Sequence, residues 1–190
     1  MTRLLLLCVL GGCWLTSRAP PVEVRYFSPP TGGERIAAPR IHTRVRLGRV
    51  VAAAHLRYRI AHRRSAVEVE LYDTMRWTEQ PAEYVRRELA DALFTARGLD
   101  QAVTGEAPTV SIEVLAFEHV ERSGHHYGRV HLRYTIDDDR DIWSEQSVIV
   151  ERSAASSDIS AVISAIGDAV HAASVEVASR VVDRLCPPRQ

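Results

Sequence analysis

Four histidines, His119, His125, His126 and His131, fall in a short stretch around Gly124. Imidazoles this close in sequence have the composition of a zinc-binding turn. No His-Glu-x-x-His pattern, cysteine partner or compact carboxylate accompanies them, and His125 and His126 read as solvated residues of a hairpin turn. The run Asp137-Asp138-Asp139-Arg140-Asp141 has the charge of a calcium loop. It lacks the sixth-position Gly and twelfth-position Glu of an EF-hand, so a hairpin tip accounts for it better. There is no Gly-x-Ser-x-Gly elbow and no Gly-x-Gly-x-x-Gly turn. All 24 basic residues are Arg. Without Lys the chain cannot write a P-loop, a Schiff-base site or the strand lysine of a protein kinase. The residues therefore assign no catalytic group, no metal ligand and no cofactor, and the expectation is that the protein is not an enzyme.

The chemistry that does stand out is at the N-terminus. Met1-Thr2-Arg3 is followed by Leu4 to Leu7, Cys8, Val9 and Leu10, the layout of a secretory signal. The run is shorter than the ~20 residues of a spanning helix. Leu10-Gly11-Gly12-Cys13 resembles the bacterial lipobox, in which a cysteine thiol is acylated and the chain is cut just before it. That resemblance implies a signal peptide over residues 1–12 and a lipidated N-terminus at Cys13. Two or more acyl chains of the palmitate type hold a protein on a membrane stably, whereas one holds it marginally. Trp14 stands where an Asp would retain such a protein at the inner membrane, which favours the outer membrane. With Cys8 removed and Cys13 acylated, Cys186 has no partner for a disulfide in the mature chain.

The elements that follow are those of a small α+β domain. Its 190 residues, 46% hydrophobic and 25% charged, suffice for one core. The 24 basic residues cancel 24 acidic ones, so no basic field exists to hold nucleic acid. Residues 13–42 are rich in Pro and Gly and read as a lipidated start and tether, with Val22 to Phe27 alternating as a first strand would. Period-two alternation predicts strands at Val45–Val51, Leu56–Ile60, Val67–Leu71, Val110–Val114, Val130–Ile136 and about 142–150. Ala61 to Ala66 would be the connection between the second and third. Arginines on one of those strands face glutamates on the other if the two pair. Pro81 opens and Gly98 closes a helix with an apolar stripe through Val85, Leu89 and Leu93. Asp158 caps a long final helix whose stripe runs from Ile159 to Leu185. Beside that stripe, Ala161, Ala165, Ala169 and Ala172 form a strip of small residues, fit for close approach to the domain's own sheet or to a neighbour. The order strands, helix, strands, long helix predicts a mostly antiparallel sheet with two helices packed on one face, over residues 43–186.

One stretch is more specific. Tyr58-Arg59, an intervening hairpin, then Arg76-Trp77-Thr78-Glu79-Gln80-Pro81 and an amphipathic helix resemble the ABC-type transport auxiliary lipoprotein family, the PqiC-like proteins. Trp77, Glu79 and Pro81 match the family's box at the helix start, with Thr78 in place of the common Ala. Leu89 and Leu93 match the helix leucines, and Tyr26-Phe27 stands where the family has an aromatic pair. The resemblance implies an accessory role beside an MCE-domain protein and the permease and ATPase of an ABC transporter that move lipid between two membranes. Lipid would then be the cargo, with ATP hydrolysed by another subunit. A homo-oligomer is left open, and so is the competing role of an envelope assembly or scaffold lipoprotein. Physically, Trp77 can wedge the helix start against the sheet or meet a partner. Glu79 is placed to accept from the free N–H groups of the first helical turn. Pro81 presets the φ of that turn.

Overall fold

The computed structural model describes residues 22–30, 37–138 and 140–187, so Cys13 and the signal segment lie outside the described residues. Eight strands and two helices follow in the order β1 (Arg25–Phe27), β2 (Ile41–Ala52), β3 (Arg59–Arg63), β4 (Val69–Trp77), α1 (Pro81–Ala90), β5 (Leu99–Gln101), β6 (Thr109–Arg122), β7 (His125–Asp137), β8 (Ile142–Ser153) and α2 (Ile159–Leu185). The strands form one mixed sheet with both helices on one face. The α+β class and the two-helix layer are as expected.

The central strand is β6, and its fourteen residues explain the topology. Along one side it pairs in antiparallel register with β7 over nearly its whole length, and β7 pairs with β8 in the same sense. Along its other side β2 and β3 lie end to end, both parallel to it. β4 is antiparallel to β3, β1 is parallel to β4, and β5 is parallel to β2. The two longest ladders are thus antiparallel, and the parallel pairings are short. The two with β6 arise because β2 and β3 run the same way, with 53–58 looping out between them. Alternation alone does not carry strand direction, so the sequence is silent on this. Because Arg25–Phe27 joins the sheet and β2 begins at Ile41, the sheet starts within the segment read as tether.

The β3–β4 hairpin departs from the sequence reading. Ala61, His62 and Arg63 are strand, not connection, because they pair with Glu118, His119 and Val120 of β6. The tip falls at Arg64–Glu68, closed by Arg64 N to Glu68 O at 3.2 Å and by Ser65 Oγ accepting from Glu68 N at 3.1 Å. Val67, read as the first apolar residue of the next strand, is 95% exposed at the apex. The Val67-Val69-Leu71 alternation had continued through a turn.

The core lies between the sheet and the helices. Val110, Ile112, Val114 and Phe117 of β6 and Val130, Leu132, Tyr134 and Ile136 of β7 meet Val162, Ile166, Val170, Ala173 and Val177 of α2. A β-bulge between Val114 and Ala116 shifts the register along β6, and residues 116–120 beyond it are all buried. Asp158 caps α2 as read, accepting from Ser160 N at 2.7 Å. By length and hydropathy α2 passes for a membrane span, but its apolar side is spent on the core. Part of the alanine strip has the same destination. Ala165 and Ala169 are buried under the domain's own sheet, and a Cβ on Gly128 of β7 would lie 2.7 Å from Ile166 Cα. Small residues on both elements let helix and strand touch by backbone. α1 ends in a π-helical turn, Asp91–Ala96, and Gly98 follows at φ +67°. A side chain at Gly98 would collide with Pro39, whose carbonyl carbon lies 3.0 Å from the Cβ position.

Candidate functional site

The residues singled out between Tyr58 and Pro81 come together at one corner, where β4 ends and α1 begins. β4 carries an irregularity: Arg76 pairs with Arg59, but Leu71 already pairs with Ala61, so residues 72–75 bulge out of the ladder. That bulge leaves carbonyls without ladder partners. Arg59 supplies them, with Nε donating to Tyr72 O at 3.2 Å and Nη2 to Leu71 O at 3.0 Å. It also pairs with Asp73. Arg76 Nη1 adds bonds to Tyr72 O at 3.0 Å and Met75 O at 2.9 Å. Tyr58 contributes backbone, its carbonyl accepting from Trp77 N at 2.6 Å, while its side chain is half exposed.

Trp77 is the last residue of β4 and is 1% exposed. Its ring stands edge-on to Phe117 at 5.1 Å between centroids and to Tyr84 at 6.1 Å. Tyr84, from the first turn of α1, stacks on Phe117 at 6.1 Å. Three aromatics from β4, β6 and α1 therefore fix the angle of helix to sheet. Trp77 Nε1 finds no acceptor among the described residues. Thr78 uses its hydroxyl to bond Tyr84 Oη at 2.7 Å. Pro81 occupies the first helical turn and is buried. Glu79 differs from expectation: its carboxylate pairs with Arg87 instead of the helix N–H groups, and Gln80 stands at the cap with no side-chain bond. The Glu79 backbone N–H is instead taken by Tyr84 Oη at 3.2 Å.

A second cluster was not assembled by sequence reasoning. His62 of β3 and His119 of β6 are register partners, and their rings stack at 4.1 Å with planes within 5°. Tyr72, turned inward by the β4 bulge, lies parallel to both rings, 5.3 Å from His62 and 6.2 Å from His119 between centroids. Its hydroxyl bonds His119 Nδ1 at 2.8 Å, and His119 Nε2 bonds His126 Nδ1 at 2.9 Å. His62 Nε2 lies 3.4 Å from a Glu121 oxygen, a loose contact rather than a well-formed hydrogen bond. Burial is the main force on His119. With His62, His126 and Arg64 adding repulsion, it lowers the pKa to about 3. His62 is lowered and Tyr72 raised, again chiefly by burial. These shifts favour the neutral forms of His62, Tyr72 and His119, and both nitrogens of His119 are engaged. Of the four histidines grouped by sequence, His119 and His126 meet here. His125 is exposed at the start of β7, and His131 lies on the opposite face of the sheet. The sequence signal for the pair was their diagonal placement across the Ser123-Gly124 turn; His62 gave none.

The sheet face away from the helices holds a row of charge. Glu118 is fully buried beneath Arg63, which donates to it at 2.7 and 3.2 Å, and Arg129, 3.7 Å away. Glu151 continues the row, 3.8 Å from Arg129 and paired with Arg122. These contacts join β3, β6, β7 and β8 and are not the ones expected between the third and fourth strands, where Arg59 pairs with Asp73 and Glu70 with Arg64 of the tip. The turn after β7 is a local hydrogen-bonded loop: Asp138 Oδ1 accepts from Arg140 N at 2.9 Å and Asp141 N at 2.7 Å.

A protein from Xanthomonas campestris assigned to the family DUF330 superposes with a TM-score of 0.74 at 16% identity, over 84% of this chain and 96% of its own. A second solved structure, of an uncharacterized protein, gives 0.65 at 11% identity over 84% and 99%. A hypothetical protein from Chlamydia trachomatis gives 0.51 at 13% identity over 77% and 99%. At these identities they establish a shared fold. A search of curated proteins found no match. The sequence model of the ABC-type transport auxiliary lipoprotein component matches residues 27–178, from the end of β1 to the third quarter of α2. Members of that family are lipoproteins, membrane-anchored and facing the cell envelope, auxiliary to ABC-type transport. This chain belongs to the ABC-type transport auxiliary lipoprotein component family.

Proposed function

We propose that this protein is the non-catalytic, outer-membrane-anchored accessory lipoprotein of an MCE/ABC-type system that moves lipid between membranes. The observation that carries the reading is the family match over 27–178, joined to a cysteine at position 13 in lipobox context. The acyl chains on Cys13 hold the protein to the membrane, and Trp14 in the following position directs it outward. The folded domain then serves as a rigid part that meets an MCE-domain protein. The ATPase and permease of the same system supply energy and passage, consistent with a chain that has no Lys for a P-loop. The clusters described above hold the domain in shape: Arg59 mends β4, Trp77 sets α1, and the histidine row fills one end of the core.

Fatty-acid labelling with separation of the two membranes tests the anchoring half of this reading. The native chain is expected to take up label and to band with the outer membrane. Cys13→Ala is expected to lose both the label and the membrane. Label persisting in Cys13→Ala, or native protein banding with the inner membrane, would contradict it.

A further inference from the structure

Strand directions fix which end of the molecule the anchor approaches. β1 is parallel to β4, β4 antiparallel to β3, and β3 parallel to β6. β1 therefore runs against β6; by register Arg25 lies beside the middle of β6, so the residues before it lie toward the end where β6 finishes. The β3–β4 tip Arg64–Glu68, the Ser123-Gly124 turn and the N-terminus of α2 lie at that same end. The loop 102–108, the turn after Asp137 and the C-terminus of α2 lie at the other end. Fourteen residues of β6 separate the two ends by about 45 Å at the usual rise per residue.

The chain between Cys13 and Val22 is short. Fully extended, nine residue steps reach about 30 Å. An acylated Cys13 keeps Val22 within that distance of the bilayer, less than the length of the domain. Val22 and Val24, leading into β1, are 70% and 39% exposed, and Val67 at the hairpin apex is 95% exposed. Of the nearby charges, Arg64 is paired with Glu70 and Arg122 with Glu151, while Glu23 and Glu68 belong to the exposed segments themselves. Exposed aliphatic residues also occur at the far end, where Val103 is 81% exposed, so exposure alone does not choose an end. The length of the tether does.

We propose that the Arg64–Glu68 hairpin tip, with Val67 at its apex, and the Val22–Val24 segment rest on the lipid surface that holds the Cys13 acyl chains. The strands then stand away from the membrane, and the Val103 end points to the periplasmic partner. The inference rests on acylation of Cys13, as in the reading above.

The test uses full-length acylated protein in phosphatidylethanolamine–phosphatidylglycerol vesicles, with Cys186→Ser to leave one reactive thiol. Val67→Cys and Val103→Cys each carry a polarity-sensitive fluorophore, and doxyl-labelled lipid is the quencher. Flotation of the vesicles is scored separately. The expected result is protein that floats, loses most of its signal at position 67 and keeps it at position 103. Floating protein with position 67 unquenched, or with position 103 quenched instead, overturns the orientation while leaving the anchor intact. Protein that does not float at all overturns the anchor and the orientation together.

Discussion

Arg59 of β3 bonds the backbone carbonyl of Tyr72 across a break in the β4 ladder, at 3.2 Å through Nε, with Leu71 O held at 3.0 Å by the same guanidinium. The bulge that Arg59 mends is also what turns the Tyr72 ring into the sheet, against His62 and His119. One guanidinium thereby supports both the broken ladder and the stacked cluster beside it.

Arg59→Ala should lower stability by about 1.5–3 kcal/mol, the range for hydrogen bonds to a charged group. Arg59→Lys should recover little of it, because an ammonium cannot span two carbonyls as a planar fork does. Urea melts of the unacylated Cys13→Ala protein would show this. Full rescue by Lys would mean that charge beside Asp73, not the fork, is what matters.

Trp77→Ala should cost about 3–5 kcal/mol, as for a buried Trp. Trp77→Phe should cost distinctly less, since it keeps a ring against Phe117 and removes an indole N–H that has no acceptor among the described residues. An Ala variant within about 1 kcal/mol of the native chain would place Trp77 outside the load of the corner.

Where α2 crosses β7, Gly128→Ala and Ala165→Leu should each destabilise by about 1–3 kcal/mol through overpacking. The strip of small residues left two destinations open, the domain's own sheet and a neighbour; Ala165 and Ala169 are buried in the domain, while Ala161 and Ala172 are half-buried. Unchanged melting of Ala165→Leu would contradict the burial of Ala165.

Acid should weaken the fold through the histidine row. His119 has a pKa of about 3 in the folded protein and the ordinary 6.5 when unfolded. Below 6.5 the unfolded chain binds a proton that the native state refuses, so stability is full above that pH and falls as pH drops toward 3. The slope is about 1.4 kcal/mol per pH unit for one such group. Denaturation midpoints between pH 7 and 5 would reveal it, and His119→Gln should flatten the dependence. An unaltered slope in that variant would assign the effect elsewhere.

The sequence carried the pieces that depend on local pattern. Alternation in β6 and β7, the Pro81 start and Gly98 end, the Asp158 cap and the wedge position of Trp77 are all legible from neighbours within a few residues. What depends on strand order was not. His62 and His119 are adjacent only because β3 lies beside β6, and no spacing rule links residues so far apart. The end-to-end placement of β2 and β3, which makes both of their pairings with β6 parallel, is invisible for the same reason. At the β3–β4 tip the local pattern misled, since Val67 keeps the strand rhythm while standing in the turn. Glu79 found Arg87 two turns along α1 rather than the helix end, a choice between two local partners that spacing does not rank.

The account stands most directly on what the protein holds in the envelope. Affinity purification of the full acylated chain from detergent-solubilised envelopes, read by mass spectrometry, measures this. An MCE-domain protein with the permease and ATPase of one ABC transporter should be recovered together, and Cys13→Ala should recover markedly less of them. Recovery of lipopolysaccharide-assembly or secretion components, with no MCE protein, would contradict the account and make this chain a scaffold lipoprotein of another machine.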